Sequence, residues 1–148
     1  MTNKTFLDIA ECISRESKCV ALQVGAIIVK DDRLISTGYN GTAKGFPNCN
    51  ECLENNDYKR EDHHEWSKVY EIHAEMNAII FAARHGISIE GATLYCTHCP
   101  CDDCIKNIVQ SGIKHIIYKE GYRSNCCTSK YRNMIDIKQY IENTSKTN

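Results

Sequence analysis

Glu71-Ile72-His73-Ala74-Glu75 and Pro100-Cys101-Asp102-Asp103-Cys104 are the two stretches on which the reading of this chain turns. A histidine and two cysteines make three zinc ligands, and a glutamate outside the coordination sphere makes a proton carrier. Zinc with three protein ligands keeps an open position for water, whereas a structural zinc takes four. The natural fourth candidate, Glu75, lies two residues from His73, and positions i and i+2 do not share a helix face. The pair is therefore expected at the first turn of a helix, with His73 on the metal and Glu75 beside its water. Cys101 and Cys104, at i and i+3, do share a face, and Pro100 just before them is a helix-start residue. A helix N-terminus carries partial positive charge and lowers thiol pKa, so both cysteines are expected as thiolates at neutral pH.

Outward from that pair, the bulk composition narrows the class. A chain of 148 residues is expected to be one domain, 1–148, with a single core. Its 42% hydrophobic and 25% charged residues are those of a globular protein, and only the tail, about 143–148, is expected to be disordered. Net charge is −1 with no block of Lys or Arg, which argues against nucleic acid as the main partner, because phosphate-backbone binding needs clustered positive charge. No apolar run reaches the length of a membrane span, and the start lacks the apolar core of a signal peptide. The expectation is a cytoplasmic protein, with no membrane partner, whose ten cysteines are reduced and in part metal-binding. Cys12, Cys96, Cys126 and Cys127 have no obvious partners and read as small hydrophobes or incidental thiols.

Along the chain, Phe6, Ile9, Ala10 and Ile13 fall at helical spacing within residues 5–17, with Asn3 or Thr2 available as a cap. Val24-Gly25-Ala26-Ile27-Ile28-Val29 is rich in β-branched residues, Asp31-Asp32 turns the chain, and residues 34–39 return as an antiparallel partner. Gly38-Tyr39-Asn40-Gly41 reads as a glycine-rich turn. Residues 49–70 are polar, with Cys52, His63, His64 and the only tryptophan, and need something to order them. A helix opened by His73 continues through Met76, Ile79, Ile80 and Ala83 to a stop at Gly86. Residues 92–96 form a third strand, 102–111 the second site helix, and 114–118 a fourth strand. A strand, helix, strand unit of this length implies a parallel crossover. Residues 130–141 are a helix, or a helix followed by a strand.

His73, Glu75, Pro100, Cys101 and Cys104 together resemble the H-x-E and P-C-x-x-C signature of the cytidine and deoxycytidylate deaminase superfamily. Either half alone is weak, since C-x-x-C is also a redox pair or half a zinc knuckle. The resemblance spans nearly the whole chain and implies an α/β fold, the three-layer α/β/α sandwich with a mixed β-sheet. Gly38 to Gly41 and Gly45-Phe46-Pro47-Asn48-Cys49 are similar to a segment of deoxycytidylate deaminases. There the asparagine, here Asn40, holds the sugar hydroxyl, and the glycine-rich turn takes part in binding a regulatory nucleotide. Similarity to the phage-type members also implies a second, four-coordinate zinc on Cys19, Cys49, His63 and Glu71. Spacing alone leaves Cys52 and His64 as equal candidates, and Cys99, which departs from the usual family pattern, lies close enough to compete for the first zinc. By the same resemblance Ala74 and Tyr122 contact substrate, and Arg84 links subunit contacts to the site.

The function so implied is hydrolytic deamination of dCMP to dUMP and ammonia, supplying dUMP for dTMP synthesis. Glu75 is the expected proton shuttle, taking a proton from water, passing it to ring nitrogen N3 and later protonating the departing amine. The resemblance further implies two Zn²⁺ per chain and a homo-hexamer activated by dCTP with Mg²⁺ and inhibited by dTTP. Two rivals differ in testable ways. A deaminase of dCTP or of another cytosine or guanine nucleotide would show itself in a substrate panel, and a non-catalytic zinc-binding interaction module would have no use for Glu75.

Overall fold

The computed structural model describes residues 1–53, 60–121 and 130–143. In chain order the elements are α1 (Asn3–Ser14), β1 (Gly25–Lys30), β2 (Arg33–Tyr39), β3 (Gly41–Thr42) and the single turn α2 (Cys49–Cys52). There follow α3 (Arg60–Tyr70), β4 (Glu71–Ile72), α4 (Ala74–Arg84), β5 (Thr93–His98), α5 (Asp102–Gln110) and β6 (His115–Glu120). A 3-10 turn (Lys130–Met134) and β7 (Asp136–Gln139) end the described chain. Tyr122 and the predicted tail from residue 144 lie outside the described residues.

The main sheet has the order β2-β1-β5-β6-β7 and is mixed: β1 is antiparallel to β2 and β5, while β5, β6 and β7 run parallel. The expected hairpin turns on Asp31 and Asp32, both at positive φ (51° and 60°), the two-residue geometry that matches the twist of the flanking strands. The β5-α5-β6 unit is the expected parallel crossover. Because strand side chains alternate, β1 serves two cores. Ala26 and Ile28 pack with Ala74, Ala78 and Ala82 of α4 and Ile105 and Ile108 of α5, while Ile27 and Val29 pack with Phe6, Leu7 and Ala10 of α1. Helices thus cover both faces of the sheet, the expected three layers. Full burial of side chains such as Ile27, Ile28, Leu94 and Ile105 stabilises the fold by about 1.5–3 kcal/mol each.

Two glycines set how closely the layers approach. A Cβ on Gly25 would lie 2.1 Å from the Ala10 carbonyl oxygen in α1, and one on Gly38 would lie 2.3 Å from the Ala74 carbonyl oxygen in α4. The Gly38-Tyr39-Asn40-Gly41 stretch is accordingly not a free turn. Gly38 and Tyr39 finish β2, Gly41 opens β3, and Gly38 is buried under α4.

Three further boundaries differ from expectation. α1 stops at Ser14, and the following amides bond three residues back, from Arg15 to Cys12, Glu16 to Ile13 and Ser17 to Ser14, which tightens the turn and delivers Ser17 to a buried position. Residues 49–70, read as an irregular polar stretch, contain α2 and α3. α3 hides from apolar periodicity because its ordered face carries His63, Trp66 and Tyr70. His63 and Trp66 rings lie 6.2 Å apart, Trp66 and Tyr70 5.6 Å, and Tyr70 stacks on Phe46 at 5.0 Å. β5 runs two residues further, to His98, carried on by its parallel ladder with β6, in which His98 pairs with Glu120.

Candidate active site and metal centres

The N-termini of α4 and α5 converge on one point. His73 is the N-cap of α4 and Glu75 its second residue; Cys101 is the N-cap of α5 and Cys104 its third. The His73 Nδ1 atom lies 3.4 Å from Cys101 Sγ and 3.3 Å from Cys104 Sγ. Zn–S and Zn–N bonds of about 2.3 and 2.0 Å at a tetrahedral angle put such donor atoms about 3.5 Å apart. The three donors therefore already stand along the edges of a zinc polyhedron, and the soft thiolates and imidazole suit that metal. Two helix N-termini add partial positive charge that favours the ionised thiols.

The electrostatics follow from that crowding. The hydrogen bond from Cys104 pulls the Cys101 thiol down to about 4, while the same bond and burial push Cys104 up. As apposed thiols the two sulfurs drive each other's pKa apart, Cys101 down and Cys104 up. A second negative charge at this spacing needs a cation between the sulfurs. His73 is raised to about 9, chiefly by its hydrogen bond with Cys101 and against the lowering effect of burial. Glu75 is 4% exposed, and burial raises its carboxyl to about 7. Its Oε2 lies 4.0 Å from Cys104 Sγ, beside the cluster and outside the set of mutually close donors.

A second set of donors assembles around Glu71 of β4, two positions before His73. Cys19 Sγ lies 3.4 Å from His63 Nε2 and 3.8 Å from Glu71 Oε2, and His63 Nε2 lies 3.6 Å from Glu71 Oε2. Cys49 completes this four-residue group, whose ligand atoms all lie within 4.8 Å of one another. These four fit a closed tetrahedral site as the first three fit an open one. Cys19 is pushed up to about 12 and Cys49 upward, both by burial, the penalty a bound cation would relieve. Cys52 and His64, equal candidates on spacing, are exposed and outside the group. Cys99 is buried, with its Sγ 3.8 Å from the Pro100 carbonyl oxygen, and lies outside both groups of donors.

Of the other predicted site residues, Ala74 is fully buried at the first position of α4, Arg84 is exposed in its last turn and Tyr39 is 42% exposed. Asn40, expected on the sugar, has its side chain engaged by protein. Oδ1 accepts from Val24 N at 2.8 Å, and Nδ2 donates to Leu22 O at 2.8 Å and to Glu71 Oε1 at 2.7 Å. An Oδ1 lone pair is what it has left for a sugar hydroxyl. Thr97 and His98, at the end of β5, are not among the predicted site residues. Thr97 Oγ1 accepts from Gly25 N at 3.1 Å and bonds His98 Nδ1 at 2.9 Å, and burial lowers the pKa of that half-buried imidazole. No sequence spacing signals these contacts, because Thr97 reaches across the sheet to β1.

Comparisons with known proteins agree with this geometry. Residues 1–120 match the family model described as the cytidine and deoxycytidylate deaminase zinc-binding region. The deoxycytidylate deaminase of Enterobacteria phage T2 is 44% identical over 84% of this chain and 83% of its own length, and that of phage T4 is 44% identical over 84% and 81%. Among solved structures, the dCMP deaminase of cyanophage S-TIM5 in complex with dCMP and dUMP superposes with a TM-score of 0.77 at 34% identity, covering 93% of this chain and 95% of that one. With the family motif, the matched length and the three-layer architecture all in accord, the chain belongs to the cytidine and deoxycytidylate deaminase family.

Proposed function

We propose that this chain is a zinc-dependent dCMP deaminase, converting dCMP and water to dUMP and ammonia. The observation that carries the reading is Glu75, a carboxylate buried beside a cluster of three protein donors, the number that leaves zinc a position for water. A zinc-binding interaction module has no use for that carboxylate at that burial. The substrate assignment is supported by the phage relatives and by the cyanophage enzyme crystallised with dCMP and dUMP.

Bound zinc lowers the pKa of a coordinated water toward about 7. His73, Cys101 and Cys104 would hold that metal at the meeting point of two helix N-termini. Glu75 takes a proton from the attacking water and delivers it to N3 of the cytosine so that C4 becomes electrophilic; it then takes the second proton from the new C4 hydroxyl and gives it to the leaving amine, so that ammonia departs and the C4 carbonyl of dUMP forms. One carboxylate serves both transfers because it acts as base and then as acid in each, and burial holds its pKa near the neutral range where both roles work. The product dUMP is the substrate class a downstream thymidylate-forming reaction consumes.

The remaining features belong to the same reading. A second zinc on Cys19, Cys49, His63 and Glu71 orders α2 and α3, supported by the closeness of those four donors. Asn40, Ala74 and Tyr122 contact the nucleotide. The enzyme is one domain, a cytoplasmic homo-hexamer activated by dCTP with Mg²⁺ and inhibited by dTTP, with Gly38, Tyr39, Asn40, Gly41 and Arg84 at the regulatory contact. Among the described residues no helix is long and apolar enough to cross a membrane. Steady-state ammonia release from dCMP, dCTP, CMP and deoxycytidine, each with and without dCTP or dTTP as effector, tests the proposal. Absence of turnover on dCMP by the zinc-loaded protein would overturn it.

A further inference from the structure

Asn40 stands at the centre of a hydrogen-bonded frame that reaches two of the four donors of the second metal centre. Asn40 is 7% exposed, and Val24 N and Leu22 O fix the orientation of its side-chain amide. Nδ2 also donates to Glu71 Oε1 at 2.7 Å, while the other carboxylate oxygen, Oε2, faces Cys19 and His63. The Asn40 carbonyl accepts from Ser17 Oγ at 2.8 Å, and that hydroxyl in turn accepts from the backbone amide of Cys19 at 3.2 Å. Gln23 Nε2 donates to the Ser17 carbonyl at 2.7 Å and closes the frame.

From this frame we propose that Asn40 is a positioning residue for the Cys19, Cys49, His63 and Glu71 centre, holding one Glu71 oxygen so that the other is presented to the metal. The inference rests on the second-zinc reading above. Ligating carboxylates are fixed by outer hydrogen bonds, and losing such a partner costs about 10–100-fold in metal affinity. The same contact tightens the approach to the catalytic site. β3, which starts right after Asn40, pairs with β4 through Gly41↔Ile72 and Thr42↔Glu71, and His73 follows Ile72 directly. Asn40 thereby ties the second centre to the first residue of the catalytic one, a link between segments separated by 31 positions.

The test is zinc retention against a chromophoric chelator, followed on the metal-loaded protein. Asn40→Asp keeps the size of the side chain but sets an anion against Glu71 Oε1 and the Leu22 carbonyl. It is expected to loosen one of two bound zinc ions by about 10–100-fold and leave the other at wild-type affinity. In a Glu71→Gln background the same substitution is expected to add little, because the group it acts through has already changed. Asn40→Ala removes the donor without adding charge, and carries the test if Asn40→Asp does not fold. Two zinc ions held at wild-type affinity in the Asn40 variants, with only the KM for dCMP raised, would confine Asn40 to the nucleotide contact and overturn the proposal. An effect of equal size in the Glu71→Gln background would overturn it as well. A wild-type protein that binds one zinc would overturn both this inference and the second-zinc reading, an outcome distinct from the other two.

Discussion

Gly38→Ala separates two roles for the same residue. As a packing glycine it lets α4 lie directly on β2: a Cβ there would meet Ala74 O at 2.3 Å, Ala78 N at 2.5 Å and Asn77 C at 3.1 Å, all backbone atoms that no side-chain rotation can move away. Restoring ordinary contact requires α4 to retreat by about 1 Å. That retreat opens the layer in which Ala74, Ala78 and Ala82 pack on Ala26 and Ile28, and it carries His73 and Glu75 with it. It also strains the bonds that tie α4 to β2, Ser36 Oγ to Ala78 O at 2.6 Å and Asn77 Nδ2 to Tyr39 O at 2.7 Å. Overpacking of this kind costs about 1–3 kcal/mol, and for a chain of this size each kcal/mol lowers the thermal midpoint by about 2–4 °C. A misplacement of about 1 Å at a catalytic group lowers kcat by about 10²-fold. Circular dichroism melts and ammonia release from saturating dCMP measure the two effects. Gly41→Ala is the control, since a Cβ there meets only the Tyr39 ring, at 3.9 and 4.0 Å, and should leave the midpoint unchanged. If Gly38→Ala keeps the wild-type midpoint and basal kcat while losing its response to dCTP, the packing argument is refuted and Gly38 serves the regulatory nucleotide alone.

Glu75→Gln should lower kcat by about 10⁴-fold or more, with full zinc content by metal analysis, since the residue moves protons and lies outside the donor set; near-normal turnover would remove it from the mechanism. The same variant should be the more stable protein when the metal is chelated. Glu75 ionises above its ordinary 4.5 when unfolded but only above about 7 when folded, so burying its charge costs stability as pH rises through that window, about 3 kcal/mol in full above pH 7 and nothing below 4.5. Urea melts of both proteins at pH 4.5 and pH 8 would show a gain confined to the higher pH, and an equal difference at both would contradict the assignment of the shift to burial. Cys101→Ser should remove one zinc and all turnover, whereas Cys19→Ser should remove one zinc and lower the melting temperature; a wild-type content of one zinc ion per chain would refute the two-site reading.

Much of the catalytic centre was legible in the residues themselves. His73 and Glu75 two positions apart, and Cys101 and Cys104 three apart behind a proline, are local patterns, and helix geometry converts each into an N-terminal turn without reference to the rest of the chain. The hairpin and the parallel crossover were also legible, written in β-branched runs, turn residues and the length of the intervening helix. Only the tertiary structure decided what depends on distant pairs. The meeting of Cys101 and Cys104 with His73, 28 and 31 positions away in the chain, is one such contact. α3 has no apolar stripe and is ordered through His63 and its aromatic neighbours, so periodicity missed it. Gly38 and Asn40 read as turn chemistry until α4 is seen to lie on the one and Glu71 to come within 2.7 Å of the other. A short-range pattern constrains the backbone that contains it, whereas a contact between two such segments exists only once the sheet has set their relative positions.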